Sequence, residues 1–324
     1  MAKVAVLDDW QGVARSSADW SPLMAVADVV FFSHAFENED DAVENLADFD
    51  VVLSMRERTP LPGSSIGRLP KLRMLGITGP SNRSLDVPAC TARGVVVCHT
   101  GSAARDATAE LALGLLLSAA RAIPAADANI RAGRFQEGLP VGLSLSGKTI
   151  GIVGLGRLGS SMARYCQALN MHVLAWSQNL TAEKANAAGA TLVSKEELFT
   201  RSDAISIHLV LSPRSRGLIG ASDLARMKPG AILVNTSRGP IVDEAALLEA
   251  VYAGRIVAAL DVYDREPLPA NHPLRSAPNT VVTPHLGYGV HETWKEFYGQ
   301  SLENALAFLN GNPVRVINPE AIRK

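Results

Sequence analysis

Three short segments concentrate side chains able to move a proton beside a carbonyl. ILVNTSRGPIVDE, residues 232–244, presents Arg238 directly after an apolar run. AALDVYDREP, residues 258–267, ends a second run on Asp261 and sets Glu266 before Pro267. VVTPHLG, residues 281–287, sets His285 after a third run and a proline. The planar fork of arginine binds a carboxylate or a 2-keto acid through two parallel hydrogen bonds, which lysine cannot imitate. Histidine titrates near neutrality, so it can give a proton to a carbonyl oxygen and take it back. A carboxylate beside it favours imidazolium and fixes the ring, and Glu266 is available to do so for His285. Each of these residues also has a plainer reading: Arg238 as a surface arginine, each histidine as a structural one. Of the others, His34 and His99 lie in the first half, His172 starts a strand at the opposite edge, and His272 sits in a polar loop. His208 ends a strand where it can touch a cofactor, and His291 stays in reserve because it is close to His285 in sequence.

The second concentration is KTIGIVGLGRLGSSMARYCQALNMHVLAWS, residues 148–177. Thr149–Val153 reads as a buried strand, Ser160–Leu169 continues as a helix, and His172–Trp176 is a second strand, closing a βαβ unit. Between strand and helix stand Gly154, Gly156 and Gly159 as G-x-G-x-x-G. The first permits the tight turn, the second lets a pyrophosphate approach the backbone, and the third lets helix and sheet pack closely. The free N–H groups and positive end of the helix suit phosphates. This context, rather than the glycines alone, indicates a dinucleotide site. Asp261 is then placed either to accept from a nicotinamide amide or to fix a loop. A dinucleotide fold selective for NAD carries an acidic residue about 20 positions beyond the glycines. Here the second strand runs out into Ser177, Gln178 and Asn179, with Lys184 the nearest cation. NADP is therefore permitted, and the choice between NAD and NADP stays open.

The elements that must hold these segments follow from length and pattern. A chain of 324 residues suits two domains, each with its own core. Apolar runs recur through the first hundred residues, at Val4–Leu7, Val29–Phe32, Val51–Met55, Leu72–Ile77 and Val95–Cys98, with polar or helical stretches such as Glu39–Leu46 between them. Further strand candidates are 149–153, 172–176, 190–193, 204–210, 231–236, 256–262 and 280–283, with helices at Lys195–Thr200, Asp223–Met227 and Asp243–Ala253. Such alternation predicts α/β architecture, two doubly wound parallel sheets. Residues 105–121 read as a helix apolar nearly all round, which suits a domain or subunit junction as well as an ordinary core. The last helix, Val290–Asn310, carries Trp294, Phe297, Tyr298, Leu302, Ala305, Leu306 and Leu309 on one stripe, and a strand-like tail Val314–Ile317 follows. Thr100–Ala104 reads as the crossing between domains, and the late helix as a return to the first domain. The expected division is residues 1–101 with 290–324 as a discontinuous domain and 102–289 as the nucleotide domain, with substrate in the cleft between them.

Composition narrows the classes. A net charge of -1, without a basic run, gives no footprint for nucleic acid. Three cysteines without ligand spacing argue against a disulfide framework and against a metal site. MAKVAVLDDW already has a strand pattern, and Leu111–Ala120 is too short to span a bilayer, so a soluble cytoplasmic protein with no membrane association is expected.

GLGRLG, NTSRGPIVDE, LDVYDREP and TPHLG, in this order, resemble the D-isomer-specific 2-hydroxyacid dehydrogenase family over nearly the whole chain. The resemblance implies a Rossmann nucleotide-binding domain and a flavodoxin-like substrate domain. It implies hydride exchange between a 2-keto or D-2-hydroxy acid and NAD or NADP, with Arg238, Glu266 and His285 catalytic. It implies cofactor contacts at Arg157, Leu158, Ser177, Thr236, Ser237 and Asp261, beside Gly154, Gly156, Gly159, His208, Arg238 and His285. MRERTP (55–60) and ITGPSNRSLD (77–86) match the family's substrate-side loops and point to Arg56 and Gly79 alongside Arg238. Family members are usually homodimers. Two departures stand out: Ser177 replaces the usual ribose-binding Asp, and the usual N-T-P-G entry to the nucleotide domain reads His99, Thr100, Gly101, Ser102. The long C-terminal extension of serine-regulated phosphoglycerate dehydrogenases is not present, so that feedback control is not expected. Within the class, the alternatives are an NADPH-preferring glyoxylate or hydroxypyruvate reductase and a phosphoglycerate dehydrogenase. Arg56, Arg58 and Arg83 are the first-domain candidates for a substrate phosphate. Outside it stands an NAD(H)-sensing binding protein of the corepressor kind, which would bind cofactor and turn over no keto acid.

Overall fold

The computed structural model describes residues 1–101, 104 and 106–322. The chain divides into two compact units, Met1–Ala104 with Val290–Lys324, and Arg105–Gly289. Ser102 and Ala103, inside the expected crossing, lie outside the described residues.

The first unit is built on five parallel strands, β1 (Ala2–Val6), β2 (Ala27–Phe31), β3 (Val51–Ser54), β4 (Met74–Ile77) and β5 (Val96–His99), in the order β2-β1-β3-β4-β5. That is the flavodoxin-like order, whose ligand edge lies beyond the strand C-termini at the switch between the first and third strands. Its core packs Leu7, Leu46, Val52, Leu61, Ile66, Leu75, Ile77 and Val97, a continuous apolar composition suited to strands covered on both faces. The C-terminal segment belongs to this unit. Helix His291–Leu309 buries Trp294, Phe297, Tyr298 and Ala305, while Leu302, Leu306 and Leu309 are half-buried. The tail does not form a regular strand. Val316 makes a single antiparallel bridge to Cys98, and the Asn318 side chain accepts from Val97 N at 2.7 Å and donates to Val95 O at 3.0 Å.

The second unit holds seven parallel strands, β6 (Thr149–Val153), β7 (His172–Trp176), β8 (Thr191–Leu192), β9 (Ala204–Ile207), β10 (Ala231–Asn235), β11 (Ile256–Leu260) and β12 (Thr280–Val282). Their order, β12-β11-β10-β9-β6-β7-β8, is the Rossmann order with one added strand, and it reverses between β6 and β9. The expected strand 204–210 stops at Ile207 because a turn held by Ser215 follows: its hydroxyl donates to Val210 O and accepts from Ser212 N, both at 2.7 Å. The long apolar helix begins at Ala107 and ends at Arg121, where Ala122 takes a left-handed conformation (φ +49°). A further helix, Ile123–Arg131, not among the expected elements, follows at once. The first of the pair buries Ala112, Leu115 and Leu116 in the core that also holds Ile150, Met162, Ile232 and Ala259. Among the described residues, no single helix is long and apolar enough to cross a membrane. Cys90, Cys98 and Cys166 are free and buried, and burial pushes their thiols up to about 12, 11 and 12.

Candidate active site

All of the candidate residues of the second unit follow the C-terminal ends of its strands. After β6, Gly154 has φ +95°, and a Cβ there would stand 2.6 Å from His208 O at the end of β9. A Cβ on Gly159 would stand 2.0 Å from Gly154 O, so helix Arg157–Ala168 can approach the turn only with glycine at this position. Gly156 differs from both: it is exposed, and a Cβ would meet nothing within 4 Å. Two glycines are thus fixed by packing and one borders open space, and the helix start at Gly156 has no side-chain cap. Uncapped N–H groups beside an open backbone are what a pyrophosphate requires. Arg157 is exposed and Leu158 half-buried at that start. At the end of β7, Ser177 is half-buried, and Gln178 and Asn179 are exposed.

Two buried polar atoms near the same edge have no hydrogen-bond partner: His208 Nδ1 and Thr236 Oγ1. The β9–β10 register pairs Ile207 with Asn235, so these two residues leave the sheet side by side. His208 Nε2 lies 2.9 Å from Ser206 Oγ, and burial pushes its imidazole down to about 4, which keeps it neutral at physiological pH. Orphaned polar atoms of this kind are uncommon in a native interior and fit a polar ligand.

Arg238 leaves β10 through a turn that Asn235 organises. The buried Asn235 side chain accepts from Ser237 N at 3.0 Å and donates to Arg238 O at 3.0 Å. Ser237 Oγ donates to Ile207 O at 2.7 Å, tying the turn to β9. The sequence reading passed over Asn235, although Asx residues at turns are a known signal.

Glu266 and His285 meet as expected. His285 Nδ1 lies 2.5 Å from Glu266 Oε2, and both side chains remain about one-quarter exposed, at 21% and 26%. Because an ionised carboxylate only accepts, Nδ1 carries the proton and Nε2 is the ring atom left for a substrate. The other carboxylate oxygen of Glu266 accepts from Tyr263 N at 2.9 Å. The Tyr288 ring stands edge-on to the imidazole, with centroids 5.6 Å apart. His285 itself is left-handed (φ +54°), a conformation that persists in a non-glycine residue only when its surroundings over-determine it.

Asp261 supplies much of that determination. Its fully buried carboxylate accepts from Thr283 Oγ1 at 2.6 Å, Leu286 N at 2.8 Å and Gly287 N at 2.9 Å, so it holds the loop on both sides of His285. Burial pushes its carboxyl above the ordinary range, against these hydrogen bonds. Of the two roles open to Asp261, these contacts are those of loop fixing.

In the first unit, Arg56 and Gly79 are brought together. Arg56 is left-handed (φ +53°), its N–H donates to Thr78 Oγ1 at 2.8 Å, and its guanidinium donates to Thr78 O at 3.0 Å. A Cβ on Gly79 would fall 2.0 Å from Arg56 Nη1, and Gly79 also has a positive φ, so the guanidinium occupies space that only glycine leaves.

Residues 113–287 match the family model for the NAD-binding domain of D-isomer specific 2-hydroxyacid dehydrogenases. A glyoxylate reductase of Aeropyrum pernix is 39% identical over 267 residues, covering 80% of each chain. A D-3-phosphoglycerate dehydrogenase of Archaeoglobus fulgidus is 36% identical over 279 residues, 86% of this chain and 53% of its own. The present chain thus spans about half the length of that relative. The crystal structure of a phosphoglycerate oxidoreductase from Vibrio cholerae superposes with a TM-score of 0.90 at 36% identity, covering 96% of this chain and 99% of its own. The chain belongs to the D-isomer-specific 2-hydroxyacid dehydrogenase family.

Proposed function

We propose that this protein interconverts a 2-keto acid and a D-2-hydroxy acid as an NAD(P)-dependent dehydrogenase. The observation that carries the proposal is the His285–Glu266 pair at 2.5 Å, at the same sheet edge as Arg238 and the open glycine turn. Arg238 binds the substrate carboxylate and polarises the carbonyl. His285 Nε2 gives its proton to the carbonyl oxygen in reduction and recovers it in oxidation, while Glu266 stabilises the imidazolium. The nicotinamide cofactor, when bound, supplies or accepts the hydride at the substrate carbon. Gly156, Arg157 and Leu158 receive its pyrophosphate at the turn that Gly154 and Gly159 shape by packing, and Ser177 receives its adenosine ribose. His208, Thr236, Ser237, Arg238, His285 and the remaining acceptor capacity of Asp261 surround the rest.

A small unphosphorylated acid is favoured over a phosphorylated one. Arg56 already donates to Thr78 O and lies 3.8 Å from Glu57, and Arg58 donates to Asp8 O at 2.8 Å and stacks on Trp10 at 4.2 Å. Two of the three candidate phosphate-binding arginines are thus already engaged, which favours glyoxylate or hydroxypyruvate reduction over phosphoglycerate oxidation, and Ser177, without a carboxylate to repel a 2′-phosphate, admits NADPH. The assembly is proposed to be a cytoplasmic homodimer. The exposed apolar side chains Ile123, Ile130 and Phe135 of the second unit support a subunit contact, and three free thiols suit a reducing compartment.

The test is oxidation of NADH and of NADPH with glyoxylate, hydroxypyruvate, pyruvate, phenylpyruvate and 3-phosphohydroxypyruvate. Replacing His285→Ala is expected to lower turnover by ~10²–10⁴ with cofactor binding intact. Turnover unchanged in that variant removes the assignment. Cofactor binding with no turnover of any acid by the wild type moves the reading to an NAD(H) sensor.

A further inference from the structure

Tyr263 touches all three catalytic segments at once. Its backbone N–H donates to Glu266 Oε1 at 2.9 Å, the oxygen that does not face His285. Its hydroxyl donates to Thr283 O at 2.9 Å. The same carbonyl accepts from His285 N at 3.1 Å, closing the three-residue turn Thr283–Pro284–His285 on which the left-handed histidine stands. On the other side, the Tyr263 backbone packs on the residue after Arg238: a Cβ on Gly239 would fall 2.1 Å from the Tyr263 carbonyl carbon. The ring is 7% exposed and the phenol is pushed well above its ordinary range, chiefly by burial, so the hydroxyl remains a donor.

We infer that Tyr263 is a positioning residue that locks Arg238, Glu266 and His285 into one arrangement, through the Thr283 carbonyl on one side and Gly239 on the other. It does not touch substrate or cofactor in this role. Its hydroxyl holds the carbonyl that sets the His285 backbone, and its N–H aims the carboxylate that sets the His285 ring. The charged groups facing that ring are Glu266 directly and Asp261 from the adjacent strand end. Losing the hydroxyl leaves the half-buried Thr283 carbonyl with one fewer donor and lets the turn relax, separating the ring from Glu266. The inference rests on the dehydrogenase reading for its kinetic consequence, but not for its structural one.

The experiment is Tyr263→Phe in the full chain, which keeps the ring volume and the backbone N–H. A lost buried hydrogen bond corresponds to roughly a tenfold effect, so kcat for the preferred keto acid is expected to fall about tenfold, with KM within about twofold. NMR is expected to show the His285 Nδ1–H proton moving upfield, because its hydrogen bond to Glu266 has loosened. In a Glu266→Gln background the same change is expected to cost less than about twofold, since coupled residues are not additive. Unchanged kcat and an unmoved Nδ1–H resonance overturn the inference. A lower melting temperature with the Nδ1–H resonance unmoved also overturns it, assigning Tyr263 a structural role only. If the wild type turns over no keto acid, the dehydrogenase reading fails, while the shift of the Nδ1–H resonance still decides the role of Tyr263.

Discussion

The first strands of the two units, β1 and β6, sit at equivalent places in related parallel sheets, yet the turns after them are opposites. After β6 come Gly154, Leu155 and Gly156, and the helix that follows has no side-chain cap and borders open space. After β1 come Asp8, Asp9 and Trp10. Asp9 accepts from Val13 N at 2.8 Å and Ala14 N at 3.1 Å, closing the start of helix Ala14–Ser17 with the chain's own carboxylate. Asp8 is buried and left-handed (φ +59°), and its carboxylate accepts from Thr59 Oγ1 at 3.0 Å. The second unit leaves the donors of its turn without a side-chain cap, whereas the first satisfies them internally. The topology provides the place in both cases, and the residues of the turn decide whether a ligand can use it.

The largest test of this contrast separates the glycines. Gly156→Asp puts a carboxylate into the open space, so dinucleotide affinity by calorimetry is expected to drop by roughly 100-fold while the melting temperature stays near wild type. Gly159→Ala drives a methyl into Gly154 O and is expected to cost roughly 1–3 kcal/mol of stability, read by denaturant titration. If both variants lose affinity and neither loses stability, the division between packing and ligand glycines is wrong.

A second test addresses the filled turn. Burial raises the Asp8 carboxyl to about 6 in the folded protein, opposed by Thr59 and Arg58. A carboxyl whose folded pKa is raised favours folding most when protonated, and that contribution is lost as pH rises from the unfolded value of about 4 through 6. Asp8→Asn keeps a side chain that tolerates the left-handed backbone and removes the buried charge. Its stability relative to wild type is expected to improve by on the order of 2 kcal/mol between pH 4 and pH 8. A difference that does not vary with pH would mean that Asp8 is solvated in the folded state.

The smallest effect is expected from Asp9→Ala. Removing the carboxylate over Val13 N and Ala14 N should cost about 1 kcal/mol in chemical denaturation. It should not create nucleotide binding, because Trp10 and Arg58 still fill the turn. Dinucleotide binding to the isolated change would show that capping alone keeps the first unit empty.

The sequence carried much of this in local signals. G-x-G-x-x-G between an apolar run and a helix marks the pyrophosphate turn because glycine answers a need set by backbone geometry. Strand positions were legible because buried parallel strands are apolar without alternation, although their ends were not: β9 stops at Ile207 where a serine-held turn begins. Arg238, Glu266 and His285 could be named as candidates from residue type and from their places after strands, and the separate helix Ile123–Arg131 beyond the left-handed Ala122 could not.

What the sequence by itself determined is therefore the set of chemical groups and the sheet edge to which their strands deliver them. Tertiary structure alone decided how those groups are held. Asp261 fixes the His285 loop, Asn235 sets the Arg238 turn, and Tyr263 joins that turn to the Glu266–His285 pair. The physical reason is that hydrogen bonds such as Asp261 to Leu286 and Tyr263 to Thr283 join residues 20 or 25 positions apart in the chain. Their partners are set by strand order, which residue type and local spacing do not encode.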